Sequence, residues 1–181
     1  MEPAAALEAR CRAIELLVVD VDGVLTDGLI IVNDHGVETK HFHVRDGSGI
    51  YLWRKAGKRA AILSGRAAAA VDHRAAELGI MPVIQGAPEK SQPFRALLGE
   101  LGLDARQACY MGDDLPDLPV LRTAGLAACP ADAVAEVREI AHFITEAPGG
   151  RGAVRELVEA ILKHQGAWEP LLAGYSAANA T

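Results

Sequence analysis

Leu16-Leu17-Val18-Val19-Asp20-Val21-Asp22-Gly23-Val24-Leu25-Thr26-Asp27-Gly28 decides how the rest of the chain is read. Four apolar residues without polar alternation describe a strand covered on both faces, the condition of an interior strand in a parallel sheet. Such a strand has no packing reason to end in two carboxylates one residue apart, followed by glycine. Taken alone, Asp20 and Asp22 fit a polar strand end with turn-forming aspartates as well as they fit a site. Held close together, each acid raises the other's proton affinity unless a cation sits between them. The pair therefore points to a hard metal ion or to general acid/base work.

Outward from this stretch, a short apolar run, a Gly/Asp/Ser-rich turn and a helical stretch recur. Strands are expected at about 16–21, 60–63, 81–84, 108–111, 126–128 and 142–145, and helices at about 49–56, 67–78, 92–101, 115–124, 133–141 and 153–164. That alternation predicts an α/β fold, a single Rossmann-like parallel sheet with helices on both faces and its polar site at the carboxyl ends of the strands. One segment interrupts it. Leu29-Ile30-Ile31-Val32, the turn Asn33-Asp34-His35-Gly36 and the run Val37 to Val44 read as a β-hairpin at about 29–44. Gly79 is placed to close a helix, Asp132 to cap one and Pro116 to sit in a first helical turn.

The 181 residues hold 24 acidic and 18 basic side chains, a net charge of −6, and half of them are apolar. This suits one compact domain and argues against broad binding to nucleic acid or to an anionic membrane. Any phosphate the protein handles should be small and gripped locally. Cys11, Cys109 and Cys129 form an odd, scattered set, which suits a reduced, intracellular setting. The start lacks a basic leader region, and the first apolar run is cut by Asp20, so neither a signal peptide nor a membrane span is expected.

A second acidic strand end follows at Tyr110-Met111-Gly112-Asp113-Asp114-Leu115-Pro116-Asp117. Asp117 reads as an ordinary acid at a helix start, favoured there by capping and the helix dipole. Asp113 points to a metal ion if the first and fourth strands are neighbours. Ser64 stands where a strand meets a helix and serves equally as an N-cap or an anion contact. Lys90 precedes a helix, where its charge calls for an anion, although a solvated surface lysine is the default. His41 and His43, two apart on the hairpin, fit a solvated face better than a second metal site. Trp53 fits core or interface.

In this order Asp20, Asp22, Ser64, Lys90 and Asp113 resemble the four-motif signature of the haloacid-dehalogenase-like phosphohydrolase superfamily. The resemblance implies that Asp20 is the nucleophile forming an aspartyl-phosphate, and that Asp22 is the general acid and base. Ser64 and Lys90 would hold the phosphoryl oxygens. Mg²⁺ would be bound by Asp20, Asp113 and residue Asp22 through its backbone carbonyl. Members of that superfamily draw specificity from cap domains inserted between motifs. Here 42 positions separate Asp22 from Ser64 and 26 separate Ser64 from Lys90, too few for a cap. An open site is wet, so a second subunit is expected to cover it.

Further blocks narrow the resemblance to a capless branch: Phe42-His43-Val44-Arg45-Asp46-Gly47-Ser48-Gly49-Ile50, Ser64-Gly65-Arg66, Gln85-Gly86 and Gly149-Gly150-Arg151-Gly152-Ala153-Val154-Arg155-Glu156. From about Leu16 to Gly166 the chain resembles the 3-deoxy-D-manno-octulosonate 8-phosphate phosphatase family of lipopolysaccharide biosynthesis. That resemblance implies a cytoplasmic homotetramer hydrolysing a small phosphorylated sugar acid. His43, Val44, Arg45, Asp46 and Gly47 would meet the sugar in a loop, Arg66 and Arg74 its carboxylate or hydroxyls, and Lys90 the phosphate. Arg151 would lie in a C-terminal segment that reaches a neighbour's site, and residues 167–181 would be a flexible tail beyond a domain of residues 1–166. Position 43 is His where relatives usually have Asn, and position 51 is Tyr where many have Arg. The alternatives are a phosphatase for a nine-carbon 2-keto-3-deoxy sugar acid 9-phosphate and, in another class, a phosphoryl-accepting receiver switch. A receiver places its lysine last, whereas Lys90 precedes Asp113.

Overall fold

The run Leu16–Val19 forms a strand buried along its whole length, β1. In the computed structural model, which describes residues 4–177, β1 follows helix α1 (Ala4–Ala13) and precedes a hairpin of β2 (Ile31–Val32) and β3 (Glu38–Thr39). The chain continues through α2 (Val44–Lys55), β4 (Arg59–Leu63), α3 (Ala69–Leu78), β5 (Val83–Ile84), α4 (Ser91–Leu101) and β6 (Ala108–Met111). It ends with α5 (Leu118–Leu121), β7 (Leu126–Cys129), α6 (Ala135–Ile140), β8 (Phe143–Ile144), α7 (Ala153–His164) and α8 (Trp168–Ala177).

The main sheet has the order β5-β4-β1-β6-β7-β8, with every pair parallel. β1 sits between β4 and β6, so Val19 faces both Ile62 and Met111 across the ladder. Its side chains alternate between two cores. Leu17 and Val19 pack with Cys11 of α1, Ile50 and Trp53 of α2 and Leu157 of α7, whereas Leu16 and Val18 pack with Phe94 and Leu97 of α4, Val120 of α5 and Val137 of α6. Burying each such side chain contributes about 1.5–3 kcal/mol. That double burial explains the unbroken apolar run.

The segment after Gly152 is core. Val154, Leu157, Val158, Ile161 and Leu162 of α7 are fully buried at helical spacing, so this stretch is built into its own subunit. The expected flexible tail is replaced by α8, whose Trp168 and Leu171 are buried at the 3.6-residue period; residues 178–181 lie outside the described residues. α1 was also absent from the expectations. Leu7, Cys11 and Ile14 repeat at helical spacing and place it against the same core.

α2 begins at Val44 rather than near 49, because Gly47 and Gly49 lower helix propensity yet permit close packing. A Cβ on Gly49 would lie 2.9 Å from the Arg155 Cα, and one on Gly47 would collide with the Arg74 guanidinium. The expected sugar-contacting loop is therefore a helix start, capped by His43, whose Nδ1 accepts from the Arg45 N–H at 3.3 Å. Gly79 closes α3 in the left-handed region as expected. Pro116 lies in a 3-10 turn, Leu115–Asp117, leading into α5. Asp132 does not cap α6, which starts after Val134; it accepts from the Gly149 N–H at 2.9 Å.

The hairpin pairs Ile31 with Thr39 and Val32 with Glu38. Its turn is organised by Asn33, whose side chain accepts from the N–H groups of His35 and Val37. Between Asp22 and Ser64 lie only this hairpin, α2 and β4, and between Ser64 and Lys90 only α3 and β5, so no cap domain is present. No described helix is long and apolar enough to cross a membrane.

Candidate active site

Strand order brings the two acidic strand ends together. The Asp20 N–H donates to the Met111 carbonyl at 3.0 Å, so the β1–β6 ladder runs to the first aspartate and stops beside Gly112 and Asp113. Beyond it the chain wraps the Val21 carbonyl, which accepts from the N–H groups of Val24, Leu25 and Thr26. Two glycines make room for the acids. A Cβ on Gly23 would strike the Asp113 carboxylate, and one on Gly112 would strike that of Asp117.

Lys90 is 3% exposed rather than a surface lysine. Its ammonium donates to Asp20 Oδ2 and to Asp117 Oδ1, each at 2.6 Å. Burial works against its charge, but Asp20 and Asp117 outweigh burial and raise its pKa. These carboxylates are the anions its place before α4 requires. Asp117, read from sequence as a helix-start acid, is 1% exposed and central to the site. Its Oδ1 also accepts from the Tyr110 hydroxyl at 2.6 Å, and its Oδ2 accepts from the N–H groups of Asp113 and Asp114. A carboxylate offers about four acceptor positions, and all are used. Asp117 is thus an anchor for Lys90 and the Gly112–Asp114 turn.

One cavity of about 430 Å³ is lined by Asp20, Asp22, Ser64, Arg66, Lys90 and Asp113, among others. Ser64 is buried; its N–H donates to the Ile84 carbonyl and its own carbonyl accepts from Ala87. Asp22 pairs with Lys40 at 2.5 Å and with Arg66 at 3.5 Å. The other expected sugar contacts lie elsewhere in the single chain. Val44, Gly47 and Arg74 line a cavity of about 540 Å³ against α8, where Arg74 pairs with Glu77 and covers Phe42. Arg45 and Arg151 line a third, beside α7, and Arg151 pairs with Asp27 at 3.5 Å. Asp46 does not face a ligand space. It is 1% exposed and accepts from the N–H groups of Gly152 and Arg155, tying the start of α2 to the start of α7.

The donors suit a hard divalent cation. Ligand oxygens of Asp20, Asp113 and Asp117 lie within 4.8 Å of one another. Since Asp117 spends its lone pairs on hydrogen bonds, Asp20 and Asp113 are the ligands to be expected, and the Gly23 cradle leaves space for the Asp113 carboxylate. Burial, then Asp117 and Asp20, pushes Asp113 up to about 8; burial, opposed by Lys90, pushes Asp20 up to about 6. Such raised carboxyls hold protons more tightly in the folded than in the unfolded chain. Their stabilising effect is present near pH 4 and lost as pH rises through about 6 to 8. In chelator, the Tm should therefore fall between about pH 5.5 and pH 8. Mg²⁺ at a hundredfold excess over its Kd adds about 2.7 kcal/mol, or about 5–10 °C, with the larger gain at the higher pH. A Tm at pH 8 unmoved by Mg²⁺ would contradict this site.

No family model matches the chain. The 3-deoxy-D-manno-octulosonate 8-phosphate phosphatase KdsC of Escherichia coli K12 is 43% identical over 158 residues, 87% of this chain and 84% of that protein. The phosphatase of the same name from Salmonella typhi is 44% identical over 157 residues, with the same coverage. The chain belongs to the 3-deoxy-D-manno-octulosonate 8-phosphate phosphatase family. Within that family, the solved Moraxella catarrhalis enzyme, in complex with magnesium, phosphate and the sugar acid KDO, superposes with a TM-score of 0.94 at 40% identity. That match covers 96% of this chain and 99% of the other. A solved HAD-superfamily hydrolase from Legionella pneumophila superposes with a TM-score of 0.92 at 43% identity, covering 96% of this chain and 95% of the other, so the haloacid-dehalogenase-like architecture expected from the motif order is borne out.

Proposed function

We propose that this chain is an Mg²⁺-dependent phosphatase that hydrolyses 3-deoxy-D-manno-octulosonate 8-phosphate. The observation that carries the reading is the convergence of Asp20, Asp22, Ser64, Lys90 and Asp113 on one cavity at the carboxyl edge of β1 and β6. A carboxylate oxygen of Asp20 attacks phosphorus, and the bond from phosphorus to the sugar oxygen breaks. Asp22 gives its proton to that leaving oxygen. A water then attacks the aspartyl-phosphate, Asp22 takes the water's proton, and the bond to Asp20 breaks to release phosphate. Ser64 and Lys90 hold the phosphoryl oxygens while charge spreads over them. Asp20, Asp113 and the backbone carbonyl of Asp22 would hold Mg²⁺, which would supply neutralising charge for the reaction.

A contact of Arg66 with the sugar acid's carboxylate is supported by its half-exposed position in the lining of this cavity. Arg45, Arg74 and Arg151 line other cavities, so their contribution requires a second subunit. A homotetramer is supported by the exposed apolar side chains of the hairpin region, Leu29, Ile30, Val32 and Val37. A cytoplasmic setting is supported by three free thiols. The test is an Mg²⁺-supplemented screen of sugar-acid phosphates, with released phosphate as readout and light scattering for mass. The octulosonate ester is expected to have the highest kcat/KM. Preference for the nine-carbon 9-phosphate would overturn the substrate assignment, and phosphate release that stops after one equivalent would overturn the enzyme.

A further inference from the structure

Asp22 has two unequal oxygens. Oδ1 accepts from the Lys40 ammonium at 2.5 Å, whereas the buried Oδ2 lies 3.5 Å from Arg66 Nε and makes no hydrogen bond among the described residues. Lys40 follows the hairpin strand β3, yet its side chain is only 2% exposed. A lysine is rarely so buried unless paired. Its second partner is Glu38 at 2.7 Å, and Glu38 in turn accepts from Arg66 Nη2 at 2.7 Å. Asp22, Lys40, Glu38 and Arg66 thus form a closed ring of alternating charge joining hairpin and catalytic loop. A hairpin with two-residue strands has little stability of its own, and the ring ties it to the catalytic loop.

We propose that Lys40 is a positioning residue for Asp22, with Glu38 and Arg66 completing the ring, so that one carboxylate oxygen is tied and the other keeps its lone pairs uncommitted for proton transfer. This rests on the reading of Asp22 as general acid and base. In that role the same oxygen must reach the leaving oxygen and later the attacking water, and a misplacement of about 1 Å can cost a hundredfold. The hairpin is then part of the active site as well as a surface for a neighbouring subunit.

The experiment compares Lys40→Met, Lys40→Arg and Asp22→Asn in the Mg²⁺-loaded full chain, using p-nitrophenyl phosphate and a primary alkyl phosphate. Nitrophenolate leaves without a proton, so the first half-reaction on that ester needs no acid, whereas the water step still needs a base. For Lys40→Met we expect a stoichiometric nitrophenolate burst at close to the parent rate. Steady-state kcat should fall about thirtyfold or more on both esters, and KM on the nitrophenyl ester should fall in step with it, so that kcat/KM on that ester stays near the parent value. Lys40→Arg should recover part of kcat, and Asp22→Asn should show the same pattern with a deeper loss. Unchanged kcat for Lys40→Met, a burst slowed as much as turnover, or a raised KM at constant kcat would each overturn the proposal, the last by making Lys40 a substrate contact. Full turnover in Asp22→Asn would overturn the acid/base reading itself, a result distinguishable from failure at Lys40 alone. Should Lys40→Met fail to fold by circular dichroism, Glu38→Gln opens the ring from its other side and should give the same pattern at smaller amplitude; parent-like turnover in that variant would overturn the proposal.

Discussion

Asp20→Asn is expected to retain no more than about a thousandth of parental phosphate release, because the covalent route needs a carboxylate oxygen on phosphorus and an amide oxygen is a poor nucleophile. The fold should survive the change. Asp20 is 8% exposed, and burial already penalises its charge, so a neutral isostere removes a desolvation cost while leaving Lys90 its pair with Asp117. Two measurements together check this: phosphate release under saturating Mg²⁺ and the thermal midpoint. Activity above about one per cent with a parental Tm would mean that the nucleophile lies elsewhere. Loss of both activity and folding would mean that the Asp20–Lys90 pair is structural first.

What could be read in advance follows from the range of the interactions involved. β1 was legible because burial on both faces writes itself as an uninterrupted apolar run, and the chain order of strands and helices then fixes a parallel sheet. Asp20 and Asp113 were legible because both end apolar runs that such a sheet makes neighbours, as the pairing of Val19 with Met111 does. Asp117 was misjudged because its local surroundings, just past a turn and before α5, are those of any helix-start acid. Its burial comes from Lys90, 27 residues away, and from the Tyr110 hydroxyl. A tyrosine in an otherwise apolar strand, needing a hydroxyl partner, was the available signal. Asp46 was misjudged for the same reason, since its partners, the Gly152 and Arg155 N–H groups, lie more than a hundred residues away. Lys40 carried no signal at all. A lysine in a polar hairpin is indistinguishable from a solvated one until Asp22 and Glu38 are seen on either side of it.

Replacing Asp117 with alanine should be the most damaging change that spares every residue assigned a direct part in the reaction. A count of charges alone suggests a gain, since Asp117 repels both Asp20 and Asp113 and raises their pKa values. The hydrogen bonds decide otherwise. The variant leaves the buried Lys90 with one carboxylate where it had two, strands the Tyr110 hydroxyl and removes the acceptor for two N–H groups of the Gly112–Asp114 turn. Lys90 keeps Asp20, so the cost falls on the stranded buried donors, each about 1–3 kcal/mol; a total of about 3–5 kcal/mol is, for a chain of this size, a fall in Tm of about 6–20 °C. Asp117→Asn separates the two roles. The amide can still accept one set of hydrogen bonds, so folding should largely recover. Lys90, freed from one of its two anions, shifts toward Asp20, which then competes for it with the phosphoryl oxygens it should hold. Turnover is therefore expected to stay down about tenfold to a hundredfold in the asparagine variant even where the Tm is within a few degrees of the parent. Parental kcat in Asp117→Asn would show that the anion at this position serves the fold alone and that Lys90 is held in place by Asp20 without it.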